Sequence, residues 1–576
     1  MILFLFLTCY LSLLTQVKSA SNFRIDTVPR PTIWHSEQLS TRGDTIPPAQ
    51  YIQVPVDHFS SNTNLYSNRY WINDTYYKAN GPVFLLDAGE VYVTQSLLDQ
   101  YLNEATAISS PMELVRQSNG LAIFWEHRYY GQSNPVPVDS ETGLAEGGFA
   151  GYQYLTIDQA LEDVVYLANH FQPPGLETYW SLLSPNSTPW IFVGGSYPGT
   201  RAAWSRVRSP EVWFASWSSS APVQLQLDMQ SYYGTIASEM TSNCSADLHA
   251  ALEYVDDVLL NGSTEDVTFL KALLSVASNL TLLANVTAES YDDKQIAQLV
   301  ANITDEDAAN LLLNFLPPNW QYTGFEAAIL PYCTSLEQYV APITNISSPT
   351  TMLGMINATL QNPGTSVASP SGVAARDGNQ AAFEAVAATI YQIQIDYAAV
   401  SADLDSVEGN PMPWNWQTCY ELGFAQVANT SSPINFVSPF LNTTSWLDDC
   451  KTWFPYPELP PVPNALAGLK YGGWNMRPSN VMFTNGLKDP WRTLGVQSTT
   501  TVYGAPNRTT TNAVPNCNQP PVGNDVFGIA YPDGWHISDL SKDIGAVKTT
   551  ADQGVALFAA ALKEWLPCFK SGGSSR

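Results

Sequence analysis

The chain has 576 residues with 52 acidic and 25 basic side chains, so its formal net charge at pH 7 is −27. This balance excludes the basic surface with which proteins bind nucleic acid. Apolar residues make up 45% of the sequence and charged residues only 13%, which predicts a globular chain of several domains or one large enzyme domain with an insertion.

Residues 1 to about 20 predict a secretory signal peptide. An apolar stretch of about 14 residues precedes small residues, with Val17 and Ser19 placed for cleavage near position 19 or 20. The alternative is an anchor helix, but the stretch is shorter than the roughly 20 residues that span a bilayer. We therefore expect a secreted chain with no membrane attachment after signal removal, or alternatively one in a lysosome or vacuole.

Cysteines and glycosylation sequons favour the same compartment. Cys9 leaves with the signal, and an even number of cysteines remains, as disulfides require. These cysteines, whose pairing the sequence leaves open, are Cys244, Cys333, Cys419, Cys450, Cys517 and Cys568. Asn-x-Ser/Thr sequons predict N-linked glycans at Asn73, Asn186, Asn243, Asn261, Asn279, Asn285, Asn302, Asn345, Asn357, Asn429, Asn442 and Asn507.

The acidic composition also bears on the working pH. The sequence pI is about 4.4, so the charge of the chain approaches zero near the ordinary pKa of its carboxylates. This fits an acidic compartment or medium. The alternative is that acidity only keeps a secreted protein soluble.

Short apolar runs predict buried strands. They are Val83 to Leu86, Leu121 to Trp125, Trp190 to Val193, Ala215 to Ser218 and Val481 to Thr484. Leu155 to Phe171 has helical periodicity, with Thr156 as N-cap. Strands that alternate with helices predict an α/β fold whose sheet is mostly parallel.

The middle of the chain has another pattern. Strand signals become rare from about Leu225 to Pro463. Helical periodicity recurs there at Ala246 to Leu260, Asp266 to Leu283 and Ala381 to Leu404. Asn362 to Gln380, rich in Gly, Ser and Pro, predicts an exposed loop. We therefore predict a signal peptide over 1–20, a sheet domain in two parts over 21–224 and 466–576, and a helical insertion over 225–465.

A strand, a tight turn and a helix start follow one another at Trp190-Ile-Phe-Val-Gly-Gly-Ser-Tyr-Pro-Gly199. This is the context of a nucleophile elbow, in which small residues flank a serine on a strained turn. Pro198 stands where the usual pattern has glycine, and proline is tolerated in a first helical turn. Ser196 is the predicted nucleophile, and a structural glycine-rich turn is the alternative.

A serine nucleophile needs a base, which follows the serine and the acid in chains with this elbow. Two histidines follow Ser196. His249 lies in a helical pattern, which favours an exposed or capping position. His536 lies in a glycine-containing loop after a short apolar run. We predict His536 as the base.

The acid that orients this histidine is expected between the two. Asp489 lies at the tip of the loop that follows the predicted strand at Val481. Asp533 and Asp539 are too close in sequence to His536 to be its partner. Asp489 is therefore the predicted third member of a Ser-His-Asp triad.

An oxyanion hole needs two backbone donors. The N–H of Tyr197, directly after the serine, is one. The loop after the third strand supplies the other, and we expect Tyr130 or Gly131, which follow Leu121 to Trp125. His127 and Arg128 are interpreted as parts of a packed, hydrogen-bonded loop.

These segments together resemble the serine peptidase family of prolyl carboxypeptidase, dipeptidyl peptidase II and the fungal acid prolyl endopeptidases. The motifs, in the order of that family, are Val56-Asp-His-Phe59, Leu86-Asp-Ala-Gly-Glu90, Glu126-His-Arg-Tyr-Tyr-Gly131, Tyr154-Leu-Thr-Ile-Asp-Gln159, Gly194-Gly-Ser-Tyr197, Trp414-Asn-Trp-Gln-Thr-Cys419, Asn485-Gly-Leu-Lys-Asp-Pro-Trp491 and Gly534-Trp-His-Ile-Ser-Asp-Leu540.

The resemblance implies an α/β-hydrolase fold with a large helical cap between the nucleophile and the acid, and cleavage on the carboxyl side of proline, usually at acidic pH. It implies the triad Ser196, Asp489 and His536. It also implies that Trp416 and Trp491 lie near the proline pocket and that Glu90 lies beside the cleft, with core packing as the alternative for each tryptophan. Ile537 departs from the cysteine of fungal relatives, which puts a disulfide in doubt.

We therefore expect a secreted serine peptidase, acting as an exopeptidase or an endopeptidase on proline-rich peptides or proteins. No cofactor, metal or nucleic acid is expected, and a homodimer is an additional expectation. The alternatives are an esterase or lipase on the same fold and a catalytically silent secreted binding protein.

Overall fold

The computed structural model describes residues 48–569, apart from 62, 104–108, 140–142, 278–296, 299, 314–315, 318–319, 325–327, 339–410, 432–435, 455–458, 502–503 and 542–547. The predicted signal peptide lies outside the described residues. So do the predicted helix from Ala381 and the loop from Asn362. The predictions for these segments remain predictions.

Among the described residues, the central sheet has nine strands in the order β1-β2-β4-β3-β5-β6-β9-β11-β10. A separate pair, β7 with β8, lies between β6 and β9 in the chain. The strands are β1 Gln50–Pro55, β2 Leu65–Asn73, β3 Val83–Asp87, β4 Leu121–Trp125, β5 Trp190–Gly195, β6 Trp213–Ser219, β7 Gln226–Asp228, β8 Gly423–Ala425, β9 Val481–Gly486, β10 Thr510–Thr511 and β11 Val526–Tyr531.

Pairing is parallel from β4 through β3, β5, β6 and β9 to β11, and antiparallel only at the β1 and β2 edge. This confirms the predicted mostly parallel sheet of an α/β-hydrolase fold. Each of the five predicted strands is present, extended by at most two residues at either end. Their continuous apolar runs reflect burial on both faces.

The helices follow in chain order. They are α1 Gln95–Tyr101, α2 Ser110–Ser118, α3 Ile157–His170, α4 Tyr197–Arg208, α5 Tyr232–Glu239, α6 Ser242–Asn261, α7 Thr264–Ala277, α8 Asp305–Leu312, α9 Trp320–Gly324, α10 Leu330–Gln338, α11 Met412–Gln417, α12 Thr443–Trp453, α13 Leu466–Leu469 and α14 Lys548–Trp565. Thr156 caps α3 as predicted, because its side chain accepts the N–H of Gln159. The helices α5 to α12 occupy the region of the predicted insertion.

The sheet separates two layers of apolar packing. Along β5, Ile191 and Val193 pack with the residues of α2 and α14 on one face. Trp190 and Phe192 pack with those of α3 on the other face. Successive side chains of a strand point to opposite faces of the sheet. Both faces of β5, the strand that leads to Ser196, are therefore buried.

Three disulfides join the six cysteines. They are Cys244–Cys333, Cys419–Cys450 and Cys517–Cys568, with Cα atoms 5.3, 5.6 and 6.6 Å apart. The even count is therefore explained, and the pairing suits an oxidising compartment. No helix in the described ranges is long and apolar enough to cross a membrane.

Among the sequons that the structure describes, Asn73 is buried. Asn73 is 8% exposed, its Nδ2 donates to the carbonyl of Leu102 at 2.8 Å, and its Oδ1 accepts the N–H of Thr75 at 3.0 Å. A glycan needs this amide nitrogen exposed. Among the described sequons, Asn186, Asn261, Asn302, Asn442 and Asn507 are exposed.

A buried carboxyl group connects the segment after α11 to the start of α3. Glu421 lies in a π-helical turn over Thr418–Leu422, and its Oε2 accepts the N–H of Ile157 at 2.6 Å. Burial raises the pKa of Glu421 from 4.5 to about 7. The folded chain therefore holds this proton more tightly than the unfolded chain, so the stability that it contributes is complete below pH 4.5 and is lost as pH rises through about 7.

Glu421→Gln should remove this dependence, because an amide keeps an acceptor for Ile157 without a buried charge. Between about pH 4.5 and 8 we expect the wild type to lose about 3 kcal/mol of unfolding free energy relative to the variant. Denaturant unfolding at a series of pH values measures this difference. Glu253→Gln, at a side chain that is 55% exposed, is the control that should parallel the wild type; a Glu421→Gln curve that also runs parallel would contradict the prediction.

Candidate active site

Ser196 lies on the turn between β5 and α4, with φ +65° and ψ −132°. A side chain at Gly194 would overlap the backbone of Pro198, and one at Gly199 would overlap the backbone of β6. Glycine is therefore required on both sides of the serine. Pro198 lies in the first turn of α4, where a missing N–H costs nothing. The strained turn is the predicted nucleophile elbow.

His536 and Asp489 form a buried pair. His536 Nδ1 lies 2.9 Å from Asp489 Oδ1 and 3.0 Å from Oδ2, and both side chains are fully shielded from solvent. Asp489 follows the end of β9, and His536 follows the end of β11. The carboxylate therefore fixes the ring orientation, and Nε2 is directed away from it.

The serine and the histidine are brought together by packing. The side chains of Ile537 and Leu540, just after His536, lie against Gly195, where a Cβ would overlap them. Within the described chain, His536 Nε2 makes no hydrogen bond and is buried. Its contact with Ser196 stays a prediction, and a contact of this kind often tightens only when substrate binds.

Trp491 supports this pair from the side of the acid. The backbone N–H of Trp491 donates to Asp489 Oδ1 at 2.9 Å. Its indole centroid lies 6.3 Å from the ring centroid of His536. The ring packs edge-on against Tyr232 and Phe424. Trp491 therefore lies next to the His536–Asp489 pair, and its role in a proline pocket stays a prediction.

The insertion contributes a residue that the sequence analysis missed. The backbone carbonyl of Gln321 on α9 accepts the backbone N–H of His536 at 3.1 Å. The side-chain Oε1 of Gln321 accepts the indole N–H of Trp491 at 3.3 Å and the hydroxyl of Tyr232. A lone glutamine in a helical stretch carries no signal for this contact. Gln321 ties the insertion to both the histidine loop and the acid loop.

The expected second oxyanion donor needs correction. Tyr130 and Gly131 follow β4, but the strand next to β5 is β3. The N–H of Tyr130 donates to the carbonyl of His127 at 3.1 Å, and Gly131 packs against the carboxylate of Glu126. Sequence order did not reveal that β4 lies outside β3 in the sheet.

The loop after β3 lies at the elbow instead. Gly89 has φ +70°, and a Cβ there would overlap the ring of Pro198. Because the Gly89 N–H donates to Asp87 Oδ1 at 3.1 Å, the N–H groups of Glu90 and Val91 are the candidates for the second donor. Tyr197 is the first residue of α4, whose N–H has no partner within the helix, as the first donor requires.

Glu90 is half-buried and lines a cavity with Gly194, Gly195 and Pro198. The acidic residue thus lies beside the elbow, and its place beside a substrate cleft stays a prediction.

Trp416 lies in the environment expected as the alternative, core packing. It is 2% exposed, stacks on Tyr420 with centroids 5.0 Å apart, and its indole N–H donates to the carbonyl of Leu155 at 3.1 Å. These contacts are ordinary core packing. Trp414, two residues earlier, instead packs edge-on against Tyr197 with centroids 6.0 Å apart, because a shift of two positions on a helix turns the side chain to another face.

The remaining candidates are structural. His127 is buried with Nε2 3.3 Å from the Tyr197 hydroxyl, and burial lowers its pKa well below the ordinary value, so it is neutral. Arg128 forms a buried two-bond ion pair with Asp163. His249 lies on α6, 3.4 Å from Glu253. In the described part of the chain, no cluster of three or more His, Cys, Asp or Glu side chains could hold a metal.

Comparison with known proteins supplies the family. The family model described as "Serine carboxypeptidase S28" matches residues 54–507. The chain belongs to the serine carboxypeptidase S28 family. Ser196 and Asp489 lie inside the matched region, and His536 lies beyond it. Membership in S28 confirms the predicted family and the class of serine-type peptidase.

Individual relatives of this S28 chain are distant. The "Probable extracellular serine carboxypeptidase" of Arthroderma benhamiae is 26% identical over 492 residues, which cover 78% of this chain and 60% of that protein. The "Thymus-specific serine protease" of Homo sapiens is 27% identical over 467 residues and 78% of each chain. The crystal structure of esterase E22 is 12% identical, covers 89% of this chain and 99% of that one, and has a TM-score of 0.34. This chain thus spans less than two thirds of the Arthroderma protein.

Gly89→Ala should displace the loop after β3 and weaken the oxyanion hole. We expect the rate at which a fluorophosphonate labels Ser196 to fall about 100-fold, the effect of losing one such donor, with the folded fraction little changed. Mass spectrometry of the labelled peptide over time measures this rate.

Gly175→Ala is the matched control. Gly175 also has a positive φ, +86°, but open space where a Cβ would lie. Its labelling rate should equal that of the wild type. Equal rates in both variants would show that the loop after β3 does not contribute to the site.

Proposed function

We propose that this S28 chain is a secreted serine peptidase that hydrolyses peptide bonds on the carboxyl side of proline, with Ser196 as nucleophile, His536 as general base and Asp489 as the orienting acid. The observation that carries the proposal is the buried two-bond contact between His536 and Asp489 beside the elbow. The imidazole is hydrogen-bonded to a buried carboxylate, its Nε2 has no partner among the described residues, and the residues after it pack on the serine turn. These features are those expected of a hydrolytic triad.

Acylation follows from these positions. Ser196 Oγ attacks the carbonyl carbon of the peptide bond while His536 Nε2 takes the hydroxyl proton. The Asp489 carboxylate stabilises the imidazolium that forms. The carbonyl oxygen, now negative, receives the N–H of Tyr197 and one N–H of the loop after β3, and the N-terminal end of α4 adds its dipole.

Collapse of this intermediate breaks the C–N bond. His536 returns its proton to the leaving amine, which departs, and the acyl group remains on Ser196. A water molecule then loses a proton to His536 and attacks the ester. The same oxyanion donors act a second time, and the acid product leaves with Ser196 restored.

Preference for proline is supported by the surroundings of the pair. Trp491 places a flat ring beside His536, and Trp414 packs edge-on against the side chain of Tyr197. The proline ring carries no N–H and suits flat apolar walls. Proline-rich peptides or proteins are therefore the proposed substrates.

An acidic, oxidising location is supported by independent features. The disulfides suit secretion, and exposed sequons could carry N-linked glycans. Burial raises the pKa of both Glu421 and Asp539. Each group binds its proton more tightly in the folded chain than in the unfolded chain, so both raise the free energy of unfolding at low pH.

Digestion of a matched peptide set tests the specificity. Each peptide contains one proline, has a partner with alanine at that position, and is offered free, blocked at its amino end and blocked at its carboxyl end. We expect cleavage after proline, with the alanine partners cut at least about tenfold more slowly. Rates measured from pH 3 to pH 8 test whether the enzyme works at acidic pH. The blocked forms decide between exopeptidase and endopeptidase action.

Ser196→Ala is the control for the site. It should abolish cleavage while the chain stays folded, as judged by thermal melting. Cuts that ignore proline would refute the specificity, and full activity in Ser196→Ala would refute the nucleophile.

A further inference from the structure

The segment after His536 has an unusual backbone. Ile537 has φ +52°, a left-handed conformation that a β-branched residue rarely adopts. Ser220, just past the end of β6, has φ +47°, and Ser196 has φ +65°. Strain of this kind persists only where surrounding contacts hold the chain in place.

These strained residues are joined through the end of β6. The carbonyl of Ser219 accepts the N–H of Ser196 at 2.9 Å, and the hydroxyl of Ser219 donates to Asp539 Oδ1 at 2.5 Å. The hydroxyl of Ser220 accepts the N–H of Ile537 at 2.9 Å. Ser219 therefore contacts the nucleophile turn with one polar group and the histidine turn with the other.

Asp539 is the centre of the histidine turn. It is 2% exposed, its carbonyl accepts the hydroxyl of Ser110 at 2.7 Å, and Leu540 closes the turn with a hydrogen bond to the carbonyl of Ile537 at 3.1 Å. No cation pairs with its carboxyl group among the described residues. Its neighbours are neutral groups of β6, β9 and β11, namely Ser219, Trp217, Thr484 and Tyr531.

A buried acid without a cation is a costly way to stabilise a turn. In the proposed triad, the buried Asp539 can help to place His536. Asp489 sets the rotation of the His536 ring, whereas the backbone before and after His536 sets the distance of that ring from Ser196. On one side the backbone is held by Gln321. On the other side it is held by the Ser220 hydroxyl, which accepts the N–H of Ile537, and by the contact of Asp539 with Ser219.

We propose that Asp539 is a positioning residue, which through Ser219 holds the His536 turn at a fixed distance from Ser196. This inference rests on the proposed triad. Asp539 touches no reacting atom, and it acts through the hydrogen bond that makes one serine the common support of nucleophile and base.

The test uses the full-length protein with three variants and two readouts. Asp539→Ala removes the carboxyl group, Asp539→Asn keeps an acceptor for the Ser219 hydroxyl, and Ser219→Ala removes that hydroxyl but keeps the carbonyl that holds Ser196. The first readout is activity, measured for each variant as the second-order rate constant of fluorophosphonate labelling and as kcat and KM on an activated ester. The folded fraction is measured for each chain by thermal melting.

We expect Asp539→Ala to lower kcat and the labelling rate at least about 100-fold, the size of effect that a shift of about 1 Å produces, with KM unchanged. Asp539→Asn should lie closer to the wild type than to Asp539→Ala. Ser219→Ala should lower the same rates, and adding it to Asp539→Ala should lower them no further, because both remove one interaction.

Ser216→Ala is the matched control. It lies on the same strand, and its buried hydroxyl has no hydrogen-bond partner in the described chain, so its rates should equal those of the wild type. A purely structural Asp539 would lower the melting temperature and leave the labelling rate of the folded chain unchanged, which would overturn the proposal. So would additive effects of Asp539→Ala and Ser219→Ala.

If Asp539→Ala fails to fold, the comparison of Ser219→Ala with Asp539→Asn decides: equal rates overturn the proposal, and a slower Ser219→Ala supports it. A wild type that is not labelled at Ser196 contradicts the proposed function and this inference with it. A wild type that is labelled, with Asp539→Ala labelled equally fast, contradicts the positioning role alone.

Discussion

Parallel pairing of β5, β6, β9 and β11 is the constraint on which the site depends. Parallel strands end at the same edge of the sheet, about 5 Å from their neighbours. Residues in the loops that follow these strands are therefore neighbours, although Asp489 and His536 lie 293 and 340 positions after Ser196. Every contact of the candidate site, from the elbow to the histidine turn, is a contact between such strand ends or with a residue that covers them.

Much of this arrangement could be predicted from the sequence, for physical reasons. Strands buried on both faces are continuous apolar runs, so β3 to β6 and β9 were recognisable. The elbow was recognisable because a strained turn demands glycines around the serine. β1 and β2 were missed because polar residues such as Gln53, Asn68 and Arg69 interrupt their apolar pattern. Asn68 and Arg69 are nevertheless buried, and they form hydrogen bonds with Glu126 that the sequence does not reveal.

The parts that could not be predicted depend on spatial order and on distant partners. The second oxyanion donor was placed after Leu121–Trp125 because chain order hides the exchange of β3 and β4 in the sheet. Trp416 matched a motif, yet its helix face packs on Leu155. Gln321 contacts the His536 backbone and the Trp491 indole, and Glu421 contacts the Ile157 backbone, each more than 150 positions away. Their local sequence gives no sign of these contacts. The predicted segments outside the described residues remain predictions.

In the proposed site, one serine, one imidazole and two backbone N–H groups converge on a single point at this edge of the sheet. A crystal structure of the chain after reaction with a fluorophosphonate would show whether they do. We expect phosphorus bonded to Ser196 Oγ, its free oxygen about 3 Å from the N–H of Tyr197 and from one N–H of Glu90 or Val91, and His536 Nε2 within hydrogen-bond reach of the adduct. An adduct on another residue, or an oxygen that points away from both loops, would contradict the proposed site.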